Sequence, residues 1–222
     1  MKNSSRQKMP SQEEIRAFRN GIIKWFEKNR RIYPWRRTKN PFRILIAEMM
    51  LQRTKSDQVE AVYRRFFSVF KSPRDVASST MRELNCLLYP LGLRWRIKRF
   101  REVSRSLIKD FRAKVPSTRN DILKLPGVGD YVAGIVLSTA FGKREWIVDS
   151  NVVRVFKRYF GIRTSKEGRR DRHVIDIART YVSKRKPGRA NLAFLDFAAL
   201  ICIPGKPKCS QCPLSKSCYS QE

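Results

Sequence analysis

The sequence predicts an all-α protein, and three observations lead to that fold class. Apolar residues recur every three or four positions through most of the 222 residues, which places them on one face of a helix. The strict alternation of apolar and polar residues that is typical of half-buried strands is nearly absent. Clusters of proline, glycine and serine separate the periodic segments and therefore predict where helices end.

The first helix is predicted to follow Ser11 and to run to about Asn29. Ser11 and Glu14 form the S-x-x-E pattern of a capping box, in which two side chains satisfy amides of the first helical turn. Apolar residues then recur at helical spacing from Ile15 to Phe26. The polar and charged residues 1–10 are predicted to form a disordered tail.

Ten further helices are predicted from the same periodicity. No internal repeat and no low-complexity linker interrupts the series. The approximate bounds are 42–53, 56–70, 73–77, 80–87, 95–111, 119–124, 130–141, 150–160, 170–183 and 189–201.

The charge of the chain indicates a polyanionic partner. Lys and Arg total 49 against 19 Asp and Glu, which gives a formal net charge of +30. Each phosphate contact releases counterions, so binding should weaken steeply with salt. A merely supercharged surface or an acidic membrane surface is the alternative. No basic amphipathic helix or apolar run of roughly 18 residues is present, so we expect an intracellular protein of the cytoplasm or nucleoid without membrane contact.

The segment LPGVG, from Leu125 to Gly129, predicts a tight turn between two helices. One proline and two glycines interrupt any preceding helix, and glycine adopts positive φ at little cost. The next helix restarts at Asp130. Unpaired amides of the turn and of the first helical turn would form a site for one phosphate group that does not read base sequence. Taken alone, such a turn is equally an ordinary structural element.

Four cysteines near the end of the sequence indicate a metal site. Cys202, Cys209, Cys212 and Cys218 have the spacing C-x6-C-x2-C-x5-C, which is too compact for an ordinary disulfide scaffold. Four thiolates suit either tetrahedral zinc or a [4Fe-4S] cluster, and cysteine chemistry alone does not choose between them. The remaining cysteine, Cys86, is predicted to be a small buried residue.

These motifs together resemble the helix-hairpin-helix DNA glycosylase superfamily, in the branch of endonuclease III and the MutY adenine glycosylases. LPGVG matches the hairpin, Asp149 the catalytic aspartate, and the cysteine spacing the cluster site. The resemblance implies a two-domain endonuclease III-like fold with the active site between the domains. Residues 41–149 would form a six-helix barrel that carries the hairpin, and residues 11–40 with 150–222 a terminal domain.

The resemblance implies that the four cysteines hold a [4Fe-4S] cluster rather than zinc. Its expected role is structural, because the cysteines bracket the loop from Ile203 to Lys208. Lys206 and Lys208 in this loop are expected to meet the DNA backbone.

The implied chemistry is cleavage of an N-glycosidic bond, which generates positive charge on the sugar ring. An ionised carboxylate near the anomeric carbon would stabilise that charge, and Asp149 is the candidate. The helix predicted to begin at Ser150 would favour the anionic form of Asp149 through its amide dipoles. The alternative is that Asp149 is only the N-cap of that helix.

Tyr131 occupies the position that decides the reaction type in this superfamily. Endonuclease III carries a lysine there, whose amine forms a Schiff base with the sugar and leads to strand cleavage. A phenol cannot form the imine, so the resemblance implies a monofunctional enzyme that leaves an abasic site. Tyrosine there, with D-x-N following, resembles the archaeal mismatch-specific thymine glycosylases called MIG. Thymine or uracil opposite guanine is then the expected substrate, although Tyr131 alone would equally suit an interior aromatic.

Glu48 lies in the apolar segment ILIAEMMLQRT, where a buried carboxylate requires a reason. In MutY the matching glutamate protonates the departing adenine, and here we expect it to hydrogen-bond the base or to order water. Glu48 keeps open the alternative of an adenine glycosylase acting on A:G or A:8-oxoguanine, whereas MutY has serine in place of Tyr131. A buried salt bridge between Glu48 and an arginine is the structural alternative.

A base inside a duplex must leave the stack before its sugar can be reached. By resemblance, Gln52 is the candidate wedge that fills the gap, with Arg53 beside it, and Leu93 is the candidate for contacting the opposite strand.

A catalytically silent DNA-binding protein and an endonuclease III-like lyase are the remaining alternatives. The expected partner is double-stranded DNA with a mismatched or damaged base, bound by a monomer. The predicted DNA-binding residues are Gln52, Arg53, Leu93, Leu125, Gly127, Val128, Gly129, Asn151, Lys206 and Lys208.

Overall fold

The structure is a computed structural model that describes residues 9–92 and 94–221. Regular structure in these ranges is entirely helical, which confirms the all-α prediction. The α-helices are α1 (Gln12–Asn29), α2 (Pro41–Leu51), α3 (Ser56–Val69), α4 (Pro73–Ser78), α5 (Met81–Leu88), α6 (Ile97–Phe111), α7 (Arg119–Ile122), α8 (Asp130–Ala140), α9 (Ser150–Phe160), α10 (Arg172–Tyr181) and α11 (Pro187–Leu200).

The helix ends follow local capping chemistry. At α1 the predicted capping box is present, because Ser11 Oγ accepts from the Glu14 amide at 3.1 Å and Glu14 Oε2 accepts from the Ser11 amide at 2.6 Å. Ser72 and Thr80 cap α4 and α5 through the same reciprocal pattern. The helix predicted over 95–111 begins at Ile97 instead, because residues 94–96 form a separate 3₁₀ turn.

The chain divides into two compact units. One contains the described residues up to Arg31 together with those from Gly142 onward, and the other contains Ile32–Phe141. The predicted boundaries, after residues 40 and 149, lie further along the chain. At the first boundary, aromatic packing joins the residues after Arg31 to the unit that contains α3. The Tyr33 ring stacks on Trp35 with ring centroids 4.8 Å apart, and the Trp35 ring lies 5.4 Å from the Tyr63 ring of α3.

In the second unit, α2 packs against α8 and α4 packs against α6. Phe66 of α3 and Phe100 of α6 are fully buried and meet at a ring-centroid distance of 6.3 Å. The segment that follows α2 and the turn that precedes α8 carry most of the predicted DNA contacts.

In the first unit, Phe18 of α1 is fully buried among aromatic rings from α9, α10 and α11. A buried ion pair adds to this core. Asp196 of α11 is inaccessible to solvent, and it accepts from the Arg31 amide at 2.9 Å and from Arg31 Nε at 2.6 Å. The end of α1 is therefore fixed to α11.

Cys86 is exposed, so its predicted burial is wrong. The buried face of α5 is formed by Leu84 and Leu88, and Cys86 lies about 200° around the helix from Leu84 at 100° per residue.

Residues 1–8 of the predicted tail lie outside the described residues. No helix in the described part of the chain is long and apolar enough to cross a membrane.

Candidate active site

The turn between α7 and α8 has the predicted hairpin form. Gly127 has φ +78°, and a Cβ added there would lie 3.0 Å from Cδ of Arg99. The backbone conformation therefore favours glycine, and a side chain there would also require Arg99 to shift. Arg119 at the start of α7 donates to Asp130 Oδ1 at the start of α8 at 3.0 Å, which holds the two helix ends together.

One backbone amide at the centre of this turn is used within it. The Val128 amide donates to the Leu125 carbonyl at 3.1 Å, and the side chains of both residues are buried. Both side chains pack into the apolar core beneath the turn, so any contact of Leu125 or Val128 with DNA would be made by the backbone. In the described part of the chain the amides of Gly127 and Gly129 have no acceptor, so these two amides and the first turn of α8 are the groups that can bind a phosphate.

The candidate wedge residues lie at the end of α2. Gln52 is half-buried, and its Nε2 donates to the Gly127 carbonyl at 3.2 Å. Arg53 is exposed and has φ +58°, a left-handed conformation that is uncommon for a residue with a side chain. The structure thus brings the predicted wedge and the predicted hairpin together.

A buried arginine that the sequence did not reveal joins this turn to the segment before Leu93. Arg96 is 3% exposed. It donates to the Gln52 carbonyl, to Thr54 Oγ1 at 2.7 Å and to the Leu91 carbonyl at 3.1 Å, and burial lowers its pKa. Leu93 itself lies outside the described residues.

Glu48 and Tyr131 lie on the packed pair of helices α2 and α8. Glu48 is only 4% exposed, as its apolar sequence context predicts. Tyr131 is half-buried in the first turn of α8. Both residues therefore belong to the unit that carries the hairpin.

Asp149 lies in the unit that carries the cysteines, at the N-cap of α9. Its Oδ1 accepts from the amides of Asn151 at 2.9 Å and Val152 at 2.8 Å, and its Oδ2 accepts from Asn151 Nδ2 at 2.6 Å. The N-cap interpretation is thus confirmed. It does not compete with a chemical role, because each carboxylate oxygen can accept more than one hydrogen bond.

Asn151 is in turn held by an arginine that sequence reasoning missed. Arg154 Nη1 donates to Asn151 Oδ1 at 2.8 Å, while its Nε and Nη2 donate to the carbonyls of Cys202 at 3.0 Å and Ala198 at 2.8 Å. Burial lowers the pKa of Arg154, and the charges of Cys202 and Asp149 oppose that effect. The i, i+3 spacing of Asn151 and Arg154 on a helix was the available signal.

The four C-terminal cysteines surround one cavity of about 460 Å³. All four are free thiols, and burial raises the pKa of Cys212 and Cys218. Within the described ranges no three His, Cys, Asp or Glu side chains are grouped tightly enough, as they stand, to hold a metal ion. The thiols thus share a cavity without forming a compact single-ion site.

The loop between the first two of these cysteines is fixed by Arg158 of α9. Its guanidinium donates to the Ile203 carbonyl at 2.7 Å, to the Gly205 carbonyl at 2.8 Å and to Cys202 Sγ at 3.6 Å. Lys206 and Lys208 are both exposed on this loop. Their ammonium groups are therefore accessible to a polyanion.

Comparison with known proteins identifies the class. Residues 46–190 match the family model of the HhH-GPD superfamily base excision DNA repair proteins, and the chain belongs to this superfamily. Over 208 residues it is 37% identical to the thymine/uracil-DNA glycosylase of Methanothermobacter thermautotrophicus, which covers 93% of this chain and 94% of that protein.

Solved structures of proteins similar to this chain have the same fold. The structure of a thermostable thymine-DNA glycosylase matches with a TM-score of 0.90 at 36% identity, covering 94% of this chain and 97% of that one. A trapped endonuclease III–DNA covalent intermediate matches with a TM-score of 0.82 at 27% identity, covering 96% and 98%. The predicted family and endonuclease III-like fold are confirmed.

Adenine DNA glycosylases are more distant relatives of this chain. They match at 30% to 31% identity, and the match covers 40% to 60% of their length.

The positive φ of Gly127 predicts that a side chain at this position destabilises the protein. Gly127→Ser should lower the free energy of unfolding by about 1–2 kcal/mol, since a left-handed backbone is strained for an L-residue and the new Cβ presses on Arg99. Gly129→Ser is the matched control, because Gly129 has φ −106°, nothing lies within 4 Å of an added Cβ, and serine is a good N-cap. Urea unfolding of both variants checks this, and equal stability of the two would contradict the assignment.

Proposed function

We propose that the protein is a monofunctional DNA glycosylase that removes thymine, and also uracil, from mismatches with guanine and leaves an abasic site. The observation that carries this proposal is the similarity to a thymine/uracil-DNA glycosylase along more than nine-tenths of both chains. The net charge of +30 supports DNA as the partner.

Asp149 is assigned the central catalytic role. Its carboxylate would stabilise the positive charge that develops on the sugar as the bond to the base breaks, and would orient or deprotonate the attacking water. Three hydrogen bonds from Asn151 and Val152 fix both oxygens of the carboxylate. Arg154 holds Asn151 and thereby acts as a positioning residue.

Tyr131 supports hydrolysis without strand cleavage. A phenol cannot form a Schiff base with the sugar, so the elimination step that follows an imine is absent. The nearest lysine before the hairpin, Lys124, is exposed and paired with Asp121 at 2.8 Å. Glu48, buried on α2, is assigned to hydrogen-bonding the extracted base or ordering the water.

Cys202, Cys209, Cys212 and Cys218 are assigned to a [4Fe-4S] cluster. The residues fit this group because four free thiols line one cavity. When bound, the cluster supplies a covalent cross-link among four segments of the chain. The chain's own contribution is the positioning of Lys206 and Lys208 for the DNA backbone through Arg158.

DNA contact is assigned to the hairpin amides of Gly127 and Gly129, to Gln52 and Arg53 as the wedge, and to the lysines of the cysteine loop. Binding should occur as a monomer on a duplex with a mismatched base. Most of this binding energy would come from phosphate contacts that do not depend on base sequence.

The activity is tested with labelled duplexes that contain T:G, U:G, A:G, A:8-oxoguanine or an oxidised pyrimidine. We expect strand breaks at T:G and U:G only after alkali treatment, because the enzyme leaves an intact abasic strand. Breaks without alkali would contradict the monofunctional assignment. Preferential release of adenine would favour the alternative that Glu48 keeps open, an adenine glycosylase.

Asp149→Asn is the decisive variant within this assay. Asparagine caps a helix as well as aspartate does, so the variant retains the fold of α9 but loses the negative charge. We expect turnover on T:G to fall by at least ~100-fold, with a small loss of thermal stability because the amide nitrogen of asparagine cannot accept the hydrogen bond that Asn151 donates to Asp149 Oδ2. Full turnover would show that the catalytic assignment is wrong.

The cluster is tested by colour and iron content. Anaerobically purified protein should be brown with about four iron atoms per chain, and Cys212→Ser should lose iron and bind DNA more weakly. Cys86→Ser is the matched control, because Cys86 is exposed on α5 of the other unit, and it should retain both. A colourless protein with one zinc per chain would contradict the assignment.

A further inference from the structure

The connection between α10 and α11 is strongly basic. Residues 177–195 contain five basic and no acidic residues. Three of the basic residues are consecutive and exposed, namely Lys184, Arg185 and Lys186. Like charges placed side by side repel one another, and a bound anion relieves that repulsion. None of these three residues belongs to the candidate active site.

A second pair of basic residues extends this run into a surface. Arg144 is exposed, and it donates from Nε to the Val182 carbonyl at 3.3 Å and from Nη2 to the Arg179 carbonyl at 3.4 Å. Its guanidinium is therefore fixed at the end of α10, beside the start of the run. Lys143, which is also exposed, precedes it in the chain. We call Lys143, Arg144 and residues 184–186 the α10–α11 basic surface.

The positive charges of this surface have no carboxylate beside them. In the described part of the chain, no residue of the α10–α11 basic surface forms an ion pair with an acidic side chain. Other exposed arginines of the same unit differ, since Arg170 pairs with Glu167 at 3.2 Å and Arg172 with Asp176 at 4.0 Å. The α10–α11 basic surface is therefore available to an external polyanion.

The surroundings of this surface favour nucleic acid over an acidic protein as its partner. Protein interfaces depend on a few large apolar or aromatic side chains that become buried on binding. None of the large hydrophobic side chains that are exposed in the described ranges lies between residues 142 and 200. A phosphate backbone needs no such anchor, because released counterions supply the binding free energy.

Helix α11 separates this surface from the carboxylate of the candidate active site. Arg154, which supports Asp149 through Asn151, donates to carbonyls at the C-terminal end of α11. The basic run lies before Pro187, at the N-terminal end of the same helix. The 14 residues of α11 place about 21 Å between the two ends. Phosphates beside the target nucleotide are therefore beyond the reach of the basic run.

No track of basic residues along α11 joins its two ends. Residues 190–205 contain neither lysine nor arginine, and nearly all of α11 is buried or half-buried. A duplex bound at Lys206 and Lys208 would therefore not be led by charge along the helix to the α10–α11 basic surface. This arrangement favours two separate segments of duplex, one at each end of α11.

We propose that the α10–α11 basic surface binds the phosphate backbone of a second duplex segment while the candidate active site holds the first. Its ligand is double-stranded DNA that is recognised by charge, without regard to base sequence. A protein that holds two segments at once passes directly from one to the other without first dissociating into solution. The proposal rests on the proposed function only in that DNA is the substrate.

The test measures how fast a labelled, fully paired duplex leaves the protein as the concentration of an unlabelled paired duplex is raised. For the wild type, the dissociation rate should rise with competitor concentration, because the competitor binds before the first duplex leaves. The basic-run variant, Lys184→Gln with Arg185→Gln and Lys186→Gln, should reduce that dependence at least about fivefold, since three phosphate contacts are lost. Its single-turnover rate on T:G at saturating protein should remain that of the wild type.

The matched control combines Arg169→Gln, Arg170→Gln and Arg172→Gln, which remove the same charge from exposed positions of the same unit. This control should keep the wild-type dependence on competitor. Lys184→Arg with Lys186→Arg retains the charge of the run and should keep it as well. An equal loss in both glutamine variants would overturn the proposal, because net charge alone would then govern release.

Three further results of this assay would overturn the proposal. The first is a wild-type dissociation rate that does not depend on competitor concentration. The second is a loss of affinity in the basic-run variant that grows with the length of a single duplex while the competitor dependence is unchanged, since the surface would then contact the flank of the bound duplex. The third is acceleration by polyglutamate but not by duplex DNA, which would make an acidic protein the partner.

Capture on beads gives a second readout that does not depend on rates. Beads that carry one duplex should retain a second, labelled duplex through the wild-type protein but not through the basic-run variant. Equal retention by both proteins would overturn the proposal, because another surface or a pair of protein molecules would then bridge the duplexes. Neither assay requires catalysis, so if both effects are present while T:G is not cleaved, the proposed function fails and the second DNA-binding surface stands.

Discussion

The hydrogen bonds that fix the Asp149 carboxylate are the interaction on which the candidate active site depends. Two amides at the start of α9 bond to Oδ1, and the Asn151 side chain bonds to Oδ2. Charge-assisted hydrogen bonds of this kind are roughly twice as strong as neutral ones. The same carboxylate therefore begins the helix and is held in one orientation, so that structural and chemical demands are met by one residue.

This arrangement extends through α9 to the cysteine loop. Arg154 joins Asn151 to the carbonyl of Cys202, and Arg158, one turn further along, fixes the carbonyls of Ile203 and Gly205. One helix thus carries the carboxylate at its N-terminus and positions the loop with Lys206 and Lys208 along its side. In the proposed function, a group that stiffens the cysteine loop also stiffens the support of Asp149.

Much of the fold could be predicted from the sequence because its determinants are local. Capping residues such as Ser11 and the glycine turn at Gly127 act over three or four positions, so their pattern is visible in the chain itself. Most contacts of Arg96 and Arg154 were not predictable, because all but one partner of each arginine lie 42 or more residues away in the sequence. An arginine in a chain with this many basic residues is also not distinctive. Cys86 was assigned to a core on residue type alone, whereas its position relative to Leu84 and Leu88 places it outside.

In the proposed function, Arg154 and Asn151 hold Asp149 in the orientation that the chemical step requires. Single-turnover rates on a T:G duplex for Arg154→Met and Arg158→Met test it most directly, because Arg154 contacts Asn151 whereas Arg158 holds the carbonyls of Ile203 and Gly205 in the loop that carries the lysines. Arg154→Met should slow the chemical step by on the order of tenfold to a hundredfold, with DNA affinity nearly unchanged. Arg158→Met should mainly weaken DNA binding. A wild-type rate in Arg154→Met, or equal slowing in both variants, would contradict the claim.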